Sequence, residues 1–204
     1  MSTSTTTNYG WTIPNDDELV KNGAAAIRTL GQAIDTTAAT SFGGDLILIN
    51  TTSFSAVSSV NVNNVFSATY DNYKLLFNNI TGIDWVGIRL RASGTDDSGA
   101  NYRQQSNTSS GTGNTASRQV NQTSWGNVIE LSGAGYSSGL EIANPFLTTT
   151  TMAGHITGGA MAGNPVLYLI DYGLNTSTSY DGFSLIPASG TITGSISTYG
   201  YVKA

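Results

Sequence analysis

Only one stretch of this chain, Pro14–Asp35 (PNDDELVKNGAAAIRTLGQAID), spaces its apolar residues with the period of an α-helix. From about Gly43 onward the pattern changes to strand-like alternation, broken by turns rich in Gly, Asn, Asp and Ser. No second helical stretch interrupts it. A chain with one helix at its start and strands thereafter is expected to be mainly β, with a helical appendage. Residues 1–42 are read as an arm plus helix, and residues 43–204 as an antiparallel β-sandwich or jelly roll.

The helix carries its own signals. Asn15 is placed to cap it, and Glu18 follows at capping-box spacing. Asp16, Asp17 and Glu18 suit the positive end of the helix dipole. Val20, Ala24, Ile27, Gly31 and Ile34 follow in alternating steps of four and three, a heptad seam. A second line, Leu19, Gly23, Ala26, Leu30 and Ala33, runs beside it.

This wide face of small residues suits two partners. One is the β-part of the same chain, as for an ordinary amphipathic helix. The other is the helices of further copies, packed as a bundle or short coiled coil in which Ala and Gly permit close approach. Gly23 and Gly31 each weaken an isolated helix by about 1 kcal/mol relative to Ala, so a bundle needs support from elsewhere.

Ahead of the helix, Tyr9, Trp11 and Ile13 alternate with Gly10 and Thr12. They are expected to share one face of an extended arm that requires cover. With Val20, Ala24, Ile27 and Ile34 they are the candidate anchoring and oligomerisation residues. Thr36–Gly44 reads as a linker ending in a double glycine.

Beyond the linker, LILIN (46–50), YKLLFNNI (73–80), VLYLIDY (166–172), Tyr180–Ile186 and Thr191–Lys203 read as strands. Asp84–Ser93 alternates cleanly, with Val86, Ile88, Leu90 and Ala92 on one face. Roughly eight to ten strands are expected. Pro145 in LEIANPFL (140–147) suggests an edge or a bulge. Tyr102–Trp125 is almost without aliphatic residues and is either a long loop or a polar hairpin.

Composition excludes several functions. Eight Lys and Arg residues in 204, with a net charge of −5, do not make a phosphate-binding surface, so no nucleic-acid partner is expected. The 39% apolar content is too high for a disordered chain. Cys is absent, removing disulfides and thiolate metal ligands. No apolar run reaches transmembrane length, so no membrane insertion is expected. The N-terminal MSTSTTTNYG lacks the basic and apolar regions of a signal peptide. Work outside a cell would then need another exit route, such as lysis.

Chemistry is sparse. His155, the only histidine, lies among small residues with no nucleophile elbow to serve. Asp84, Glu130, Glu141, Asp171 and Asp181 are the acids near strands, and spacing does not pair them across a cleft. Asp96-Asp97 in GTDDSG is an ordinary acidic turn before it is a calcium loop. No catalytic residue, metal or cofactor is assigned, and the chain is not read as an enzyme. Tyr102, Gln104, Trp125 and Tyr136, with Tyr172 and Tyr180, stand near polar segments. Rings that stack on sugar C–H faces beside amides that bond hydroxyls make a glycan-binding surface. The same rings also suit the edge of a core or a seam between subunits.

Three segments resemble small fiber and minor tail proteins of tailed bacteriophages. They are TNYGWTIPNDDELVKNGAAAIRTLGQAID, then VFSATYDNYKLLFNNITG with RLRASGTDDSGANY, and finally FSLIPASGTITGSISTYGYVK. The resemblance implies a homotrimer, an N-terminal anchor to other virion structural proteins, and an outward β-domain on the virion surface after synthesis in the host cytoplasm. It carries no catalytic residues. The implied function is attachment to the host surface, through a glycan. The alternatives are a head fiber or capsid-decoration protein, and a polysaccharide depolymerase. Gln104–Gly139 lies outside the resemblance.

Overall fold

The structure, a computed structural model, describes residues 4–13, 20–41, 46–111, 113–131, 136–161 and 164–203. The chain separates into two units, Met1–Asp45 and Leu46–Ala204.

In the first unit, β1 (Ser4–Thr5) and β2 (Thr12–Ile13) pair antiparallel. The arm is therefore a tight hairpin and not the extended segment expected. Gly10, at φ 64°, makes the reversal, and Thr6 N–H donates to the Trp11 carbonyl at 2.9 Å. Tyr9 and Trp11 stack with centroids 5.1 Å apart instead of lining one strand face.

The helix α1 spans Val20–Ser41. Asn15 and Glu18, the expected cap, lie outside the described residues, as do Gly43 and Gly44. The helix runs through the segment expected to be linker. Ala38 and Ala39 are strong helix formers, and Thr36 turns its hydroxyl back onto the Gln32 carbonyl at 2.9 Å. The Trp11 indole N–H donates to Thr37 Oγ1 at 3.0 Å and ties the hairpin to the helix.

The two apolar lines of the helix differ in exposure. Ala26, Leu30, Ala33 and Thr37 are half-buried. Ala24, Ile27, Gly31 and Ile34 are exposed, Ile27 at 65% and Ile34 at 41%.

The second unit is mainly β and antiparallel throughout. Its strands are β3 (Leu46–Val57), β4 (Val60–Val62), β5 (Asn72–Thr81), β6 (Val86–Ala92), β7 (Thr95–Asp96), β8 (Tyr102–Ser110) and β9 (Gly113–Gln122). They continue with β10 (Trp125–Ile129), β11 (Tyr136–Ala143), β12 (Met152–Met161), β13 (Asn164–Leu174), β14 (Gly182–Pro187) and β15 (Ile192–Tyr201). One sheet runs β3-β15-β5-β11-β12-β13-β8-β9, and the other runs β10-β6-β14-β4, with β7 beside β6.

Both sheets bury alternate side chains in one core. Tyr73, Leu75 and Phe77 of β5, Leu140 and Ile142 of β11 and Ile196 of β15 come from the larger sheet. Val86, Ile88 and Leu90 of β6 with Phe183 and Leu185 of β14 come from the smaller. This is the period-two burial that the sequence shows most clearly at Asp84–Ser93.

Of the two readings open for Tyr102–Trp125, the structure shows the hairpin, β8–β9. The glycine-rich Met152–Met161, unassigned from sequence, is the strand β12, paired with β13 along its whole length. The strand expected at 140–147 ends at Ala143, where Asn144 turns at φ 58° and leaves Pro145 outside the sheet.

Hairpins β8–β9 and β12–β13 together extend the larger sheet beyond β11. Registers place Leu46, Tyr201, Asn72, Ala143, Gly173 and Arg103 at one end of that sheet. The last pairs of the two hairpins, Ser110 with Gly113 and Met161 with Asn164, lie at the other.

Candidate binding groove

The structure places the expected ligand residues inside the body. Tyr102 and Trp125 are fully buried and Gln104 is nearly so. The Tyr102 hydroxyl accepts Leu90 N–H at 2.9 Å and donates to the Asp97 carbonyl at 2.8 Å. The Trp125 indole N–H donates to the Gly173 carbonyl at 3.1 Å, and Gln104 Oε1 accepts Gly126 N–H at 3.0 Å. The Tyr102 and Trp125 rings meet edge-on at 5.8 Å, and the Tyr172 ring lies tilted against the indole at 5.6 Å.

This cluster fastens the β8–β9 hairpin to β6, β10 and β13. The Tyr102 hydroxyl, the Trp125 indole N–H and Gln104 Oε1 each find a partner inside the protein, so this is not a presented sugar platform. Tyr180 is also buried, with its hydroxyl donated to Asp97. Tyr136 is half-buried against the core, where burial raises its pKa.

The expected acids separate into structural and free ones. Arg91, nearly buried, donates to Asp96, to Asn61 and Asn63, and to the Ser184 hydroxyl. Asp97 Oδ1 accepts Gly99 N–H at 2.9 Å. The Asp96-Asp97 turn thus spends its oxygens on the fold, and no group of three or more metal-ligating side chains gathers among the described residues. Asp84 caps its own turn, and the Ser189 hydroxyl and Trp85 N–H hold its carboxyl below the usual range. Asp181 Oδ2 accepts Ser93 N–H at 2.9 Å. Glu130 is half-buried beside Tyr168, whose phenol is pushed up to about 12 by burial and by that carboxylate. His155 stands on β12 between Leu140 and Ile170.

Glu141 and Asp171 are brought together. Register puts Glu141 of β11 opposite Gly154 of β12, and Gly154 opposite Asp171 of β13. Two carboxylates therefore flank a residue with no side chain, about 10 Å apart at their Cα atoms by strand spacing. Asp171 Oδ1 lies 3.5 Å from where a Gly154 Cβ would stand.

The gap opens into a groove of about 490 Å³, lined also by Asn72, Ala143 and Tyr201. The Tyr201 hydroxyl donates to Glu141 Oε1 at 2.7 Å, and Lys74 Nζ lies 3.3 Å from the same oxygen. Burial and this hydrogen bond push the Tyr201 phenol up to about 12, so it remains a donor at every ordinary pH. Asp171 is exposed and joins none of the three ion pairs among the described residues.

The groove continues at both sides. A second depression of about 300 Å³ shares Asn72 and Tyr201 with it and reaches Asp71 and Lys203, themselves paired at 2.8 Å. A third, of about 180 Å³, shares Asp171 and reaches Arg103, Gln105 and Arg118. Sequence reasoning missed Tyr201, Asn72, Gly154 and the two arginines. Their one legible signal is alternation: Arg103 and Gln105 alternate with the buried Tyr102 and Gln104.

No helix among the described residues is long and apolar enough to cross a membrane, which says nothing about a β-barrel. Comparison of the chain with protein-family models, curated proteins and solved structures gave no match.

Proposed function

We propose that this chain is a virion surface protein of a tailed phage, a small fiber or minor tail protein. Its first unit anchors it to other virion proteins, and its β-body binds host surface glycan. The carrying observation is the division of labour between the units. The first holds a helix whose heptad seam is uncovered in a single chain, and the second holds an elongated groove lined by acids, an amide and a tyrosine. That lining suits hydroxyl-rich ligands, and the role proposed is binding rather than catalysis.

We further propose a homotrimer with jelly-roll bodies. The exposed Ala24, Ile27, Gly31 and Ile34 line supports assembly, because copies of the same seam are its natural cover. Setting aside the two hairpins and the short β7, the described residues of the body form eight strands. One sheet carries the first, eighth, third and sixth of them, and the other the second, seventh, fourth and fifth. That order supports the jelly-roll reading. Three bodies presented together would multiply weak single-site affinities.

The capsid-decoration reading is favoured by one observation. The groove lies at the same sheet end as Leu46, where the body begins, and the last pairs of the two hairpins lie at the other end. Deleting residues 1–42 tests both. The truncated protein is expected to stay folded by circular dichroism, to bind cells weakly, and to be lost from purified particles. Incorporation at the level of the full chain would overturn the anchoring role. Normal incorporation of a groove variant with unchanged host adsorption would favour decoration over attachment.

A further inference from the structure

The three depressions form one track. Tyr201 and Asn72 belong to the first and second, and Asp171 to the first and third. The track crosses β15, β5, β11, β12, β13, β8 and β9, six strand spacings or about 29 Å. It runs across the strands at one sheet end, open along its length. Gly154 leaves its floor open between the two acids, since a Cβ there would meet only Asp171 Oδ1, at 3.5 Å.

From this continuity we infer that the track takes the interior of a linear polysaccharide laid across the strands, with a neutral or amino-bearing unit over Gly154 between Glu141 and Asp171. The inference rests on the glycan-binding reading proposed above and deepens it. A closed pocket would select one terminal sugar. An open track of linked depressions instead offers each successive unit its own polar group: Asn72, Glu141, Asp171, then Gln105 and Arg118.

The central chemistry sets the charge of the unit. Carboxylates accept hydrogen bonds from hydroxyls or an ammonium group, and they repel a uronate held between them. Lys74 offsets Glu141 alone, which leaves Asp171 to act as a free acceptor. The ion pair is exposed and contributes little by itself.

Chitosan, chitin and galacturonan oligomers from dimer to hexamer test this by calorimetry on the full-length protein. Affinity for the chitosan or chitin series is expected to rise roughly tenfold or more from dimer to hexamer. Galacturonan of equal length should bind at least about tenfold more weakly than chitosan. Gly154→Leu fills the track and should abolish the length dependence. Asp171→Asn, which leaves the shape unchanged, should narrow the gap between chitosan and galacturonan.

Equal binding of dimer and hexamer, or binding unaffected by Gly154→Leu, overturns the track. Galacturonan binding as tightly as chitosan overturns the charge assignment. Failure of all three series overturns the inference. The parent reading is judged separately, by adsorption of the wild-type protein to host cells before and after periodate oxidation of their surface polysaccharide. Adsorption that survives the oxidation overturns that reading as well.

Discussion

Single side chains in this protein mislead when judged by their neighbours in sequence. Tyr102 and Trp125 border the most polar segment of the chain, yet both are fully buried. The reason is strand alternation: Tyr102 and Gln104 point inward while Arg103 and Gln105 point outward. The inward glutamine disguises the pattern, because a polar residue on the buried face reads as a solvent-facing one. It is tolerated there because it accepts Gly126 N–H.

The same burial fixes a pH response. Burial is the main cause raising the pKa values of Tyr102, Tyr172 and Tyr180, with Asp97 adding to the effect on Tyr102 and Tyr180. The folded protein thus holds these protons more tightly than the unfolded chain, whose tyrosines titrate at about 10. Their contribution to stability is complete below that pH and is lost as the pH rises above it. Thermal midpoints should accordingly fall progressively above pH about 10. Phenolate absorbance should show these three tyrosines ionising only on unfolding. Ionisation of all ten in one step without loss of the folded signal would contradict this.

Among the elements, the helix was legible where periodicity was strong and illegible at its C-terminal end. Thr36–Ser41 has no apolar period, and its helical state rests on alanines, a back-bonded threonine and the Trp11 indole. The clean alternation of Asp84–Ser93 announced β6. β12 went unseen because GHITGGA carries almost no bulk from which to read a period. What makes it a strand is β11 on one side and β13 on the other.

The seam makes its own prediction for α1, since Ile27 is exposed while Leu30 and Ala33 are half-buried. Ile27→Asp should leave the far-ultraviolet spectrum of the body intact and shift sedimentation from a three-chain species to a single chain. A wild-type protein that sediments as a monomer, or an unaltered Ile27→Asp assembly, would remove the seam from the interface.

For the whole molecule, fold class was legible in the sequence because strands and turns alternate throughout the second unit. Pairing was not. The first strand of the body lies beside its last, with Leu46 opposite Tyr201, and nothing local in either segment specifies that partner. The groove was illegible for the same reason. Asn72, Glu141, Gly154, Asp171 and Tyr201 meet only after five separate strands are aligned. Such distant pairing slows folding, because loop-closure entropy is spent before the contacts form. Refolding from denaturant, followed by tryptophan fluorescence, should take milliseconds to seconds or longer. A microsecond phase carrying the full amplitude would contradict this.

That adjacency of first and last strands has a mechanical side. If the body were pulled by both of its ends, β3 would peel from β15 one hydrogen-bonded pair at a time, starting at Leu46 and Tyr201. Tension applied at Leu46 alone leaves β15 clamped between β3 and β5. A ligand held in the groove would then be tugged across β15, β5 and β11, so several ladders share the strain. A body built this way resists tension best when only one of these two strands is pulled.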